Sequence, residues 1–567
     1  MNDLIIEFYE PLSYCAYLGL FIINTCCIIS YFRNNDAEGR MLNERLCLLD
    51  LGYIIYGIVF VYIERYFSFF CQKTNIDESF HLGLALKYIN GDRFWIDIDP
   101  SSVGPLNTLL FSFVSLFTNE VSYYTAKLTT MIVICISFLL LFIIFKTVAK
   151  RVVTYLITTC FIIHFSIPDG PTSLSYNSEL ILLILLPLWL LAHLNSRRYC
   201  SKFWICLEFF VIGLLPFGKL QFGPTALFLF LFSTITYFKD IKYSSFSLAL
   251  RSLVLPLSFC ALPLVIVLIN AYWNNAILWF FRFYFINMIS YLNTDHLDDI
   301  STSVVMYQNF NEYWGNIFYL SSLTLFDLFL IVCCVLRKKY RVALFCLIFI
   351  FISIYEVLRP LFSFVHYTNI MVIPLFVSAV LLLSKLNSKG LNTTCILFSM
   401  FFMGNYFINF DDDFQLKSFY ANNSGILPQW FDIAKDLKMM SNESDRLVVW
   451  GWMDELYVLS GLPSGTAEIA IGGFVPNEIV NRVYPRFTKE KYIYDIINNK
   501  PRFIIDTPSP ISMIYNSYDY SLKNDHEMWN VVKRYYHLKK EYVFSMDGVG
   551  CSIPNNTCVK IPLYEIN

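Results

Sequence analysis

The sequence predicts a polytopic α-helical membrane protein of about twelve spans, with an α/β domain at its C-terminal end on the extracytoplasmic side. Three observations predict this class. Of the 567 residues, 56% are hydrophobic and only 15% are charged, a balance that a soluble domain of this length does not keep. Clusters of Lys and Arg recur between the apolar runs. After Phe410 the composition changes to that of a soluble domain.

Twelve apolar runs are long enough to cross roughly 30 Å of hydrocarbon as helices. They begin near Leu12, Cys47, Tyr123, Val152, Glu179, Phe203, Phe222, Leu253, Asn316, Val342, Thr368 and Leu391. Residues 1–46 are predicted to form an accessory span and its loop, and residues 47–410 the main membrane module. A further apolar run, 103–117, would disturb the alternation of charge if it crossed, so we predict a juxtamembrane helix that stays on the outer side.

The cationic clusters orient these spans. They lie around Arg33, Lys146, Arg197, Lys239, Arg337 and Lys385. The positive-inside rule places all of them in the cytoplasm, so residues 71–103 become the first outer loop. We expect a multi-pass protein of the inner (plasma) membrane whose C-terminal domain is periplasmic or extracellular. The net charge of −2 and the absence of a polybasic segment argue against nucleic acid as a partner.

Residues 411–567 are predicted to form the soluble α/β domain. Their patterning predicts helices over 430–440 and 491–498, and strands over 446–450, 503–505 and 542–545. Cys551 and Cys558 are spaced to close a small disulfide loop in an oxidising compartment, and the sequence leaves open whether they do. Most other cysteines lie in apolar runs without ligand-like spacing, as small hydrophobic residues do.

An acid pair stands at the start of the first outer loop. Asp77 and Glu78 follow a span almost at once, where ionisable groups are costly to keep. A carboxylate at the rim of a partly desolvated cavity has a raised proton affinity and can accept the proton of an attacking hydroxyl. The alternative is structural, because an Asp-Glu pair at a helix N-terminus also interacts favourably with the macrodipole.

Four groups of short motifs occur in order along the chain. They are Asp77-Glu78-Ser79-Phe80-His81 with Ala85-Leu86-Lys87-Tyr88-Ile89-Asn90-Gly91-Asp92 and Gly104-Pro105-Leu106; Gly213-Leu214-Leu215-Pro216-Phe217-Gly218-Lys219-Leu220-Gln221; Arg359-Pro360 with His366-Tyr367-Thr368; and Arg446-Leu447-Val448-Val449-Trp450-Gly451-Trp452 with Glu455-Leu456-Tyr457. In combination they resemble the GT-C superfamily of glycosyltransferases. The resemblance is to the family 39 branch, which uses polyprenyl-phosphate sugars and includes protein mannosyltransferases and aminoarabinose transferases.

The resemblance implies a role for each matching residue. Asp77 is the implied catalytic carboxylate, and the same role is implied more weakly for Glu78. Lys219, Arg359 and His366 are implied to bind the donor phosphate. The residues implied to bind substrate are His81, Asp169, Gln221 and Tyr367. Each cation also has a structural interpretation, since Lys219 could snorkel at a span boundary and Arg359 or His366 could anchor the interface.

Metal and cofactor chemistry receives little support. Asp97 and Asp99 have the spacing of a carboxylate pair that could hold a divalent cation, but a turn before Pro100 is the simpler interpretation. The resemblance implies no divalent metal and no cofactor apart from the lipid-linked sugar donor.

The expected function is transfer of a sugar from a polyprenyl-phosphate carrier to a hydroxyl of a glycan, lipid or protein on the extracytoplasmic face, with inversion at the anomeric carbon. Two alternatives belong to other classes. A transporter or flippase for a lipid-linked glycan would place charged groups at mid-span, whereas here they gather at span edges. A non-catalytic scaffold for envelope assembly would retain the architecture without the chemistry.

Overall fold

A computed structural model provides the fold. It describes residues 2–33, 47–70, 76–166, 178–199, 201–240, 246–287, 289, 306–308, 318–359, 367, 369–386, 393–401, 428–469, 486–509, 517–545 and 558–567. The helices are α1 Asn2–Arg33, α2 Leu48–Tyr66, α3 Ile76–Ile89, α4 Pro105–Thr118, α5 Tyr123–Val148, α6 Arg151–Ser166, α7 Leu182–Tyr199, α8 Lys202–Gly218, α9 Gly223–Asp240, α10 Phe246–Trp273, α11 Ile277–Phe280, α12 Phe318–Leu336, α13 Tyr340–Leu358, α14 Asn369–Leu383, α15 Pro428–Met440, α16 Glu455–Ser460, α17 Arg486–Asn499 and α18 His526–Tyr535. The strands are β1 Leu447–Trp450, β2 Phe503–Asp506, β3 Tyr536–Ser545 and β4 Cys558–Ile566.

The chain divides into two compact units, each made of three separate segments. The first unit, here the helical unit, consists of Met1–Cys71, Lys127–Ile266 and Ser303–Asn423. The second unit, here the mixed unit, consists of Gln72–Ala126, Val267–Thr302 and Ser424–Asn567. The predicted first outer loop therefore belongs to the same compact unit as the C-terminal domain.

The predicted fold class is confirmed, because the chain is a helix-rich membrane protein with a small sheet near its C-terminal end. Every predicted span has helical residues near its expected start, including residues 393–401 for the twelfth. Within the described residues, five segments are both long and apolar enough to cross a membrane. They are Pro11–Ser30, Tyr123–Val148, Leu220–Phe238, Ser252–Trp273 and Tyr340–Leu358. Exposed apolar side chains such as Val254 are what a hydrocarbon environment covers.

Buried polar groups connect the helices of the helical unit. Asp50, at the start of α2, accepts hydrogen bonds from Cys47 N at 3.0 Å and from Tyr155 OH at 2.9 Å. It also forms salt bridges with Lys146 and, at 3.4 Å, with Arg151 Nε. These bonds join α2 to α5 and α6. A buried carboxylate with several charged and neutral donors is stable because its lost hydration is replaced.

The mixed unit contains the predicted α/β domain. The sheet has the order β1-β2-β4-β3, with β1 parallel to β2 and the other two pairs antiparallel. The short strands β1 and β2 are buried along their full length, as expected for parallel strands covered on both faces. The predicted helices and strands of this domain are confirmed, although α17 begins at Arg486 and β3 at Tyr536, both earlier than expected.

Helix α4 follows the outer-loop turn and corresponds to the predicted segment 103–117. It begins at Pro105, whose ring suits the first position of a helix, and ends before Asn119 in a left-handed conformation. Cys558, in β4, is disulfide-bonded, whereas Cys551 lies outside the described residues.

Candidate functional site

Helix α3 presents the predicted acid pair in two different environments. Asp77 and Glu78 both lie in its first turn, where the macrodipole favours negative charge. Glu78 is 1% exposed and lies on the packed face together with His81 and Leu82, which are also buried. Asp77 is only partly buried. Of the two acids, Asp77 is therefore the one whose carboxylate retains access to solvent or substrate.

The segment after β1 approaches α3 within the mixed unit. Trp450 ends the strand, and Gly451 turns the chain with a φ of 122°. A Cβ at this glycine would lie 2.0 Å from Thr507 Oγ1, so no larger residue fits without displacing Thr507. The turn leads to Asp454 and into α16, which packs against α3.

Asp454 is a buried acid at the carboxyl end of a parallel strand, the edge where α/β sheets usually place their ligands. Its side chain is 0% exposed, and neither carboxyl oxygen has a hydrogen-bond partner among the described residues. Burial raises the pKa of Asp454 well above its usual value, and the negative charges of Glu455 and Asp77 raise it further. Burial therefore favours the protonated form of Asp454, which lies close enough to Asp77 for their charges to interact.

A second acid pair, buried Asp99 and partly buried Glu468, joins the predicted outer loop to the C-terminal domain. Asp99 donates its main-chain N–H to Ala467 O at 3.0 Å, and its Oδ1 accepts from Ser101 N at 2.7 Å. Its carboxyl is also hydrogen-bonded to that of Glu468. Burial raises the pKa of Asp99 to about 6. The pKa of Glu468 is raised well above its usual value, first by burial and then by Asp99. The two carboxyls thus share a proton.

Asp97 and Asp99 do not act together in the structure. Asp97 closes a turn by accepting from Arg93, at 3.1 Å from N and 2.9 Å from Nε, while Asp99 pairs with Glu468. In the part of the chain that the structure describes, no group of three His, Cys, Asp or Glu side chains could hold a metal ion.

The helical unit contains the predicted cation site. Lys219 directly follows α8 and has an extended backbone conformation. It is 4% exposed, and its Nζ lies 4.2 Å from the centroid of the Tyr367 ring. Gln221 donates through Nε2 to Glu356 O in the last turn of α13, and Arg359 follows directly after that helix. The structure therefore brings Lys219 and Tyr367 together, and it ties Gln221 to the helix end that carries Arg359.

Some predicted residues remain untested. His366 and Asp169 lie outside the described residues. Asp77 belongs to the mixed unit and Lys219 to the helical unit. That these two side chains act around one cavity stays a prediction.

Sequence reasoning missed two of the acids in the mixed unit, Asp454 and Glu468. A signal for Asp454 was present, because it follows an apolar strand of an α/β domain by four residues. For Glu468 no local signal existed, since only the folded chain brings it to Asp99.

Asp327 was also missed, and it corrects one argument. It lies in the middle of α12, is buried, and its Oδ2 has no hydrogen-bond partner among the described residues. It lines a small apolar cavity with Phe326 and Phe376. The expectation that charged groups occur only at span edges is therefore wrong at this position. The lone Asp in an apolar run was visible in the sequence.

Comparisons with known proteins give structural similarities and no sequence match. No family model matches the chain, and no curated protein sequence matches it significantly. Among solved structures, it is similar to ArnT from Cupriavidus metallidurans bound to undecaprenyl phosphate, with a TM-score of 0.47 and 10% identity. The alignment covers 90% of this chain and 98% of that one. A similarity at this score and identity supports no conclusion about activity or ligands.

Proposed function

We propose that the protein is a membrane glycosyltransferase that moves a sugar from a polyprenyl-phosphate carrier to a hydroxyl acceptor on the extracytoplasmic face. The observation that carries the proposal is the placement of Asp77, which lies partly exposed in the first turn of α3 beside buried acids. The motifs that resemble the family 39 branch give this carboxylate its chemical role.

Asp77 is the proposed general base. Burial raises the pKa values of Asp454 and Glu468 and so favours their protonated forms, whereas Asp77 is only partly buried. As the acceptor oxygen bonds to the anomeric carbon, its proton passes to Asp77. The bond from the anomeric carbon to the phosphate oxygen breaks, and its electron pair stays on the phosphate. Such proton transfer typically contributes about 10²- to 10⁴-fold in rate.

Lys219 is the proposed partner of the departing phosphate, assisted by Arg359. The Lys219 ammonium is almost fully buried and lies against the face of the Tyr367 ring. A cation fixed in this way stabilises negative charge that develops on a departing phosphate in a water-poor site. Tyr367 would hold the ammonium in place before the lipid arrives.

Two observations support an extracytoplasmic location for the C-terminal domain. Cys558 is disulfide-bonded, and disulfides persist mainly in oxidising compartments. The positive-inside orientation places the same domain outside the cytoplasm. The two arguments are independent, because one rests on redox chemistry and the other on the charge of the loops.

Asp77→Asn tests the proposal. The full chain would be reconstituted in lipid vesicles with undecaprenyl-phosphate mannose as the probe, and release of undecaprenyl phosphate would be measured with added sugar acceptors. We expect Asp77→Asn to lower release by at least about 100-fold. Asp436→Asn is the control, since Asp436 pairs with Lys540 on the surface of the C-terminal domain. Full release by Asp77→Asn, with wild-type enzyme active, removes the proposal.

Asp327 favours a second candidate, transport of a lipid-linked glycan across the bilayer. A buried carboxyl in the middle of a membrane helix is a usual mark of a translocation path. The same vesicles separate the two functions. Movement of the probe lipid between leaflets without cleavage of the sugar–phosphate bond would support transport, and loss of that movement in Asp327→Asn would assign it to this residue.

A further inference from the structure

Three cationic side chains join the first outer loop to the C-terminal domain within the mixed unit. Lys87 is near the end of α3, Arg446 directly precedes β1, and Lys491 lies in α17. Lys491 Nζ donates to Ile96 O at 3.0 Å and pairs with Asp495. All three therefore act at junctions between segments that are far apart in the sequence.

The strongest junction is a fork between Arg446 and Asp92. Arg446 Nη1 lies 2.8 Å from Asp92 Oδ2, and Nη2 lies 2.6 Å from Oδ1. Two parallel charge-assisted hydrogen bonds fix both the distance and the orientation of the two groups. Asp92 follows α3 through a tight turn at Gly91, which has a φ of 88°. The fork therefore holds the C-terminal end of α3.

Lys87 completes this junction from the helix itself. It is almost fully buried, and its Nζ donates to Ser464 O at 2.9 Å and to Thr466 O at 2.6 Å. The same nitrogen lies 3.3 Å from Asp92 Oδ2. All three donors of the ammonium are thus used, which offsets part of the cost of burying it, and burial still lowers the pKa of Lys87 to about 8. A buried charge that depends on three fixed acceptors tolerates little displacement of the helix.

The same helix carries Asp77 at its other end. Ten residues of α-helix separate Asp77 from Lys87, a distance of about 15 Å along a rigid rod. A shift of α3 at Lys87 therefore moves Asp77, at the other end of the helix, by a similar amount. Near the acid end, the Ser79 and Tyr123 hydroxyls form a hydrogen bond of 2.8 Å.

We infer that Arg446 is a positioning residue for sugar transfer: with Asp92 and Lys87 it forms a clasp that makes the C-terminal domain part of the catalytic unit. The inference rests on the proposed role of Asp77. Arg446 does not touch the reacting atoms and acts through the position of α3. The C-terminal domain is then required for turnover, although the proposed donor-binding cations Lys219 and Arg359 belong to the helical unit.

The chain offers a closely matched control. Arg502 lies in the same domain and, like Arg446, forms salt bridges with acidic side chains. Its partners are Asp445 at 2.6 Å and Glu565 at 3.0 Å. Its side chain is 28% exposed, compared with 27% for Arg446. Both of these Arg502 partners are in the C-terminal domain, so Arg502→Gln removes a comparable interaction without releasing α3.

Hydrogen exchange on the full chain in lipid nanodiscs tests the clasp without any substrate. We expect Arg446→Gln to increase amide exchange in residues 76–89 by about 10-fold, since a lost anchor lets the helix open locally. Arg446→Lys keeps the charge but loses the fork, so its effect should be intermediate. Arg502→Gln should leave these amides unchanged. Equal exchange in Arg446→Gln and Arg502→Gln overturns the inference. If Arg446→Gln does not fold, Arg446→Lys is compared with Arg502→Lys in the same way.

Turnover of undecaprenyl-phosphate mannose is the second readout. Arg446→Gln should lower kcat by about 10-fold or more while KM for the lipid stays within about twofold, because misplacing a base affects the chemical step. If Asp77→Asn is fully active, the proposed function fails, and exchange still reports whether the clasp exists. If Asp77→Asn is inactive and Arg446→Gln turns over like Arg502→Gln, only the positioning role fails.

Discussion

Asp50 and Asp454 are both buried aspartates, and they have opposite surroundings. Asp50, in the helical unit, is bonded by Lys146, Tyr155 and a main-chain N–H. Asp454, in the mixed unit, has no hydrogen-bond partner for either oxygen among the described residues and is close to other acids. The partners of Asp50 replace its lost hydration. Burial of Asp454 instead raises its pKa and favours the protonated form.

The difference separates acids that hold the fold from acids that are available for chemistry. A carboxylate with all its partners present contributes to stability and has no capacity left for a ligand. A buried acid without partners lowers stability, so its presence calls for another explanation. Asp454, an acid of this second kind, belongs to the mixed unit, which also carries Asp77.

Asp50→Asn gives the largest expected effect on stability. The substitution leaves the Lys146 ammonium buried without its carboxylate, a loss of roughly 3–5 kcal/mol for a broken buried pair. Thermal and denaturant unfolding of the purified protein would measure it. The double variant Asp50→Asn with Lys146→Met should recover part of the loss, since the unpaired charge is gone. A loss below about 1 kcal/mol would show that Asp50 is not structural in this sense.

The stability of the mixed unit should depend on pH through Asp99. The pKa of Asp99 is raised by burial to about 6, from an ordinary value of 3.8. Its folded form binds the proton more tightly than the unfolded form, so this contribution is fully present below about pH 4 and is lost as the pH rises through 6. At about 1.4 kcal/mol per pH unit the change is on the order of 3 kcal/mol.

Asp99→Asn isolates this contribution. The difference in melting temperature between wild type and Asp99→Asn should change between pH 4 and 6 and then level off, because only the wild type carries the titrating group. The measurement is made in one detergent at constant ionic strength. An identical difference at pH 4 and pH 7 would contradict the assignment of a shared proton to Asp99 and Glu468.

Asp454→Asn should have the smallest effect on stability. A protonated aspartic acid and asparagine are both neutral and nearly equal in shape, so we expect a change below about 1 kcal/mol. The same unfolding experiment as for Asp50→Asn provides the comparison. A loss as large as that of Asp50→Asn would mean that Asp454 is ionised and paired, and the contrast between the two regions would disappear.

Much of the fold was predictable from local pattern. The span positions and the helices and strands of the C-terminal domain follow from hydrophobic runs and turn residues, and α3 from its acid-rich start. The start of α17 was missed by five residues, because Arg486 to Glu490 carry no apolar periodicity and are helical only in the context of the domain. For the site, short motifs proposed Asp77 and Lys219 as candidate residues. The contact of Lys219 with the Tyr367 ring was not predictable from the sequence.

The sequence by itself determined that the chain lies in a membrane, where its helices run, and which acid pair begins α3. These properties depend on the order of apolar and charged residues along a short stretch. That order alone decides whether a segment is long enough to cross the bilayer and which face of a helix is apolar. The tertiary structure decided which acids are paired and which are not. Asp92 and Arg446 are 354 residues apart, and only the folded chain brings such groups within hydrogen-bond distance. The clasp on α3 and the raised pKa values of Asp454 and Glu468 arise from that convergence.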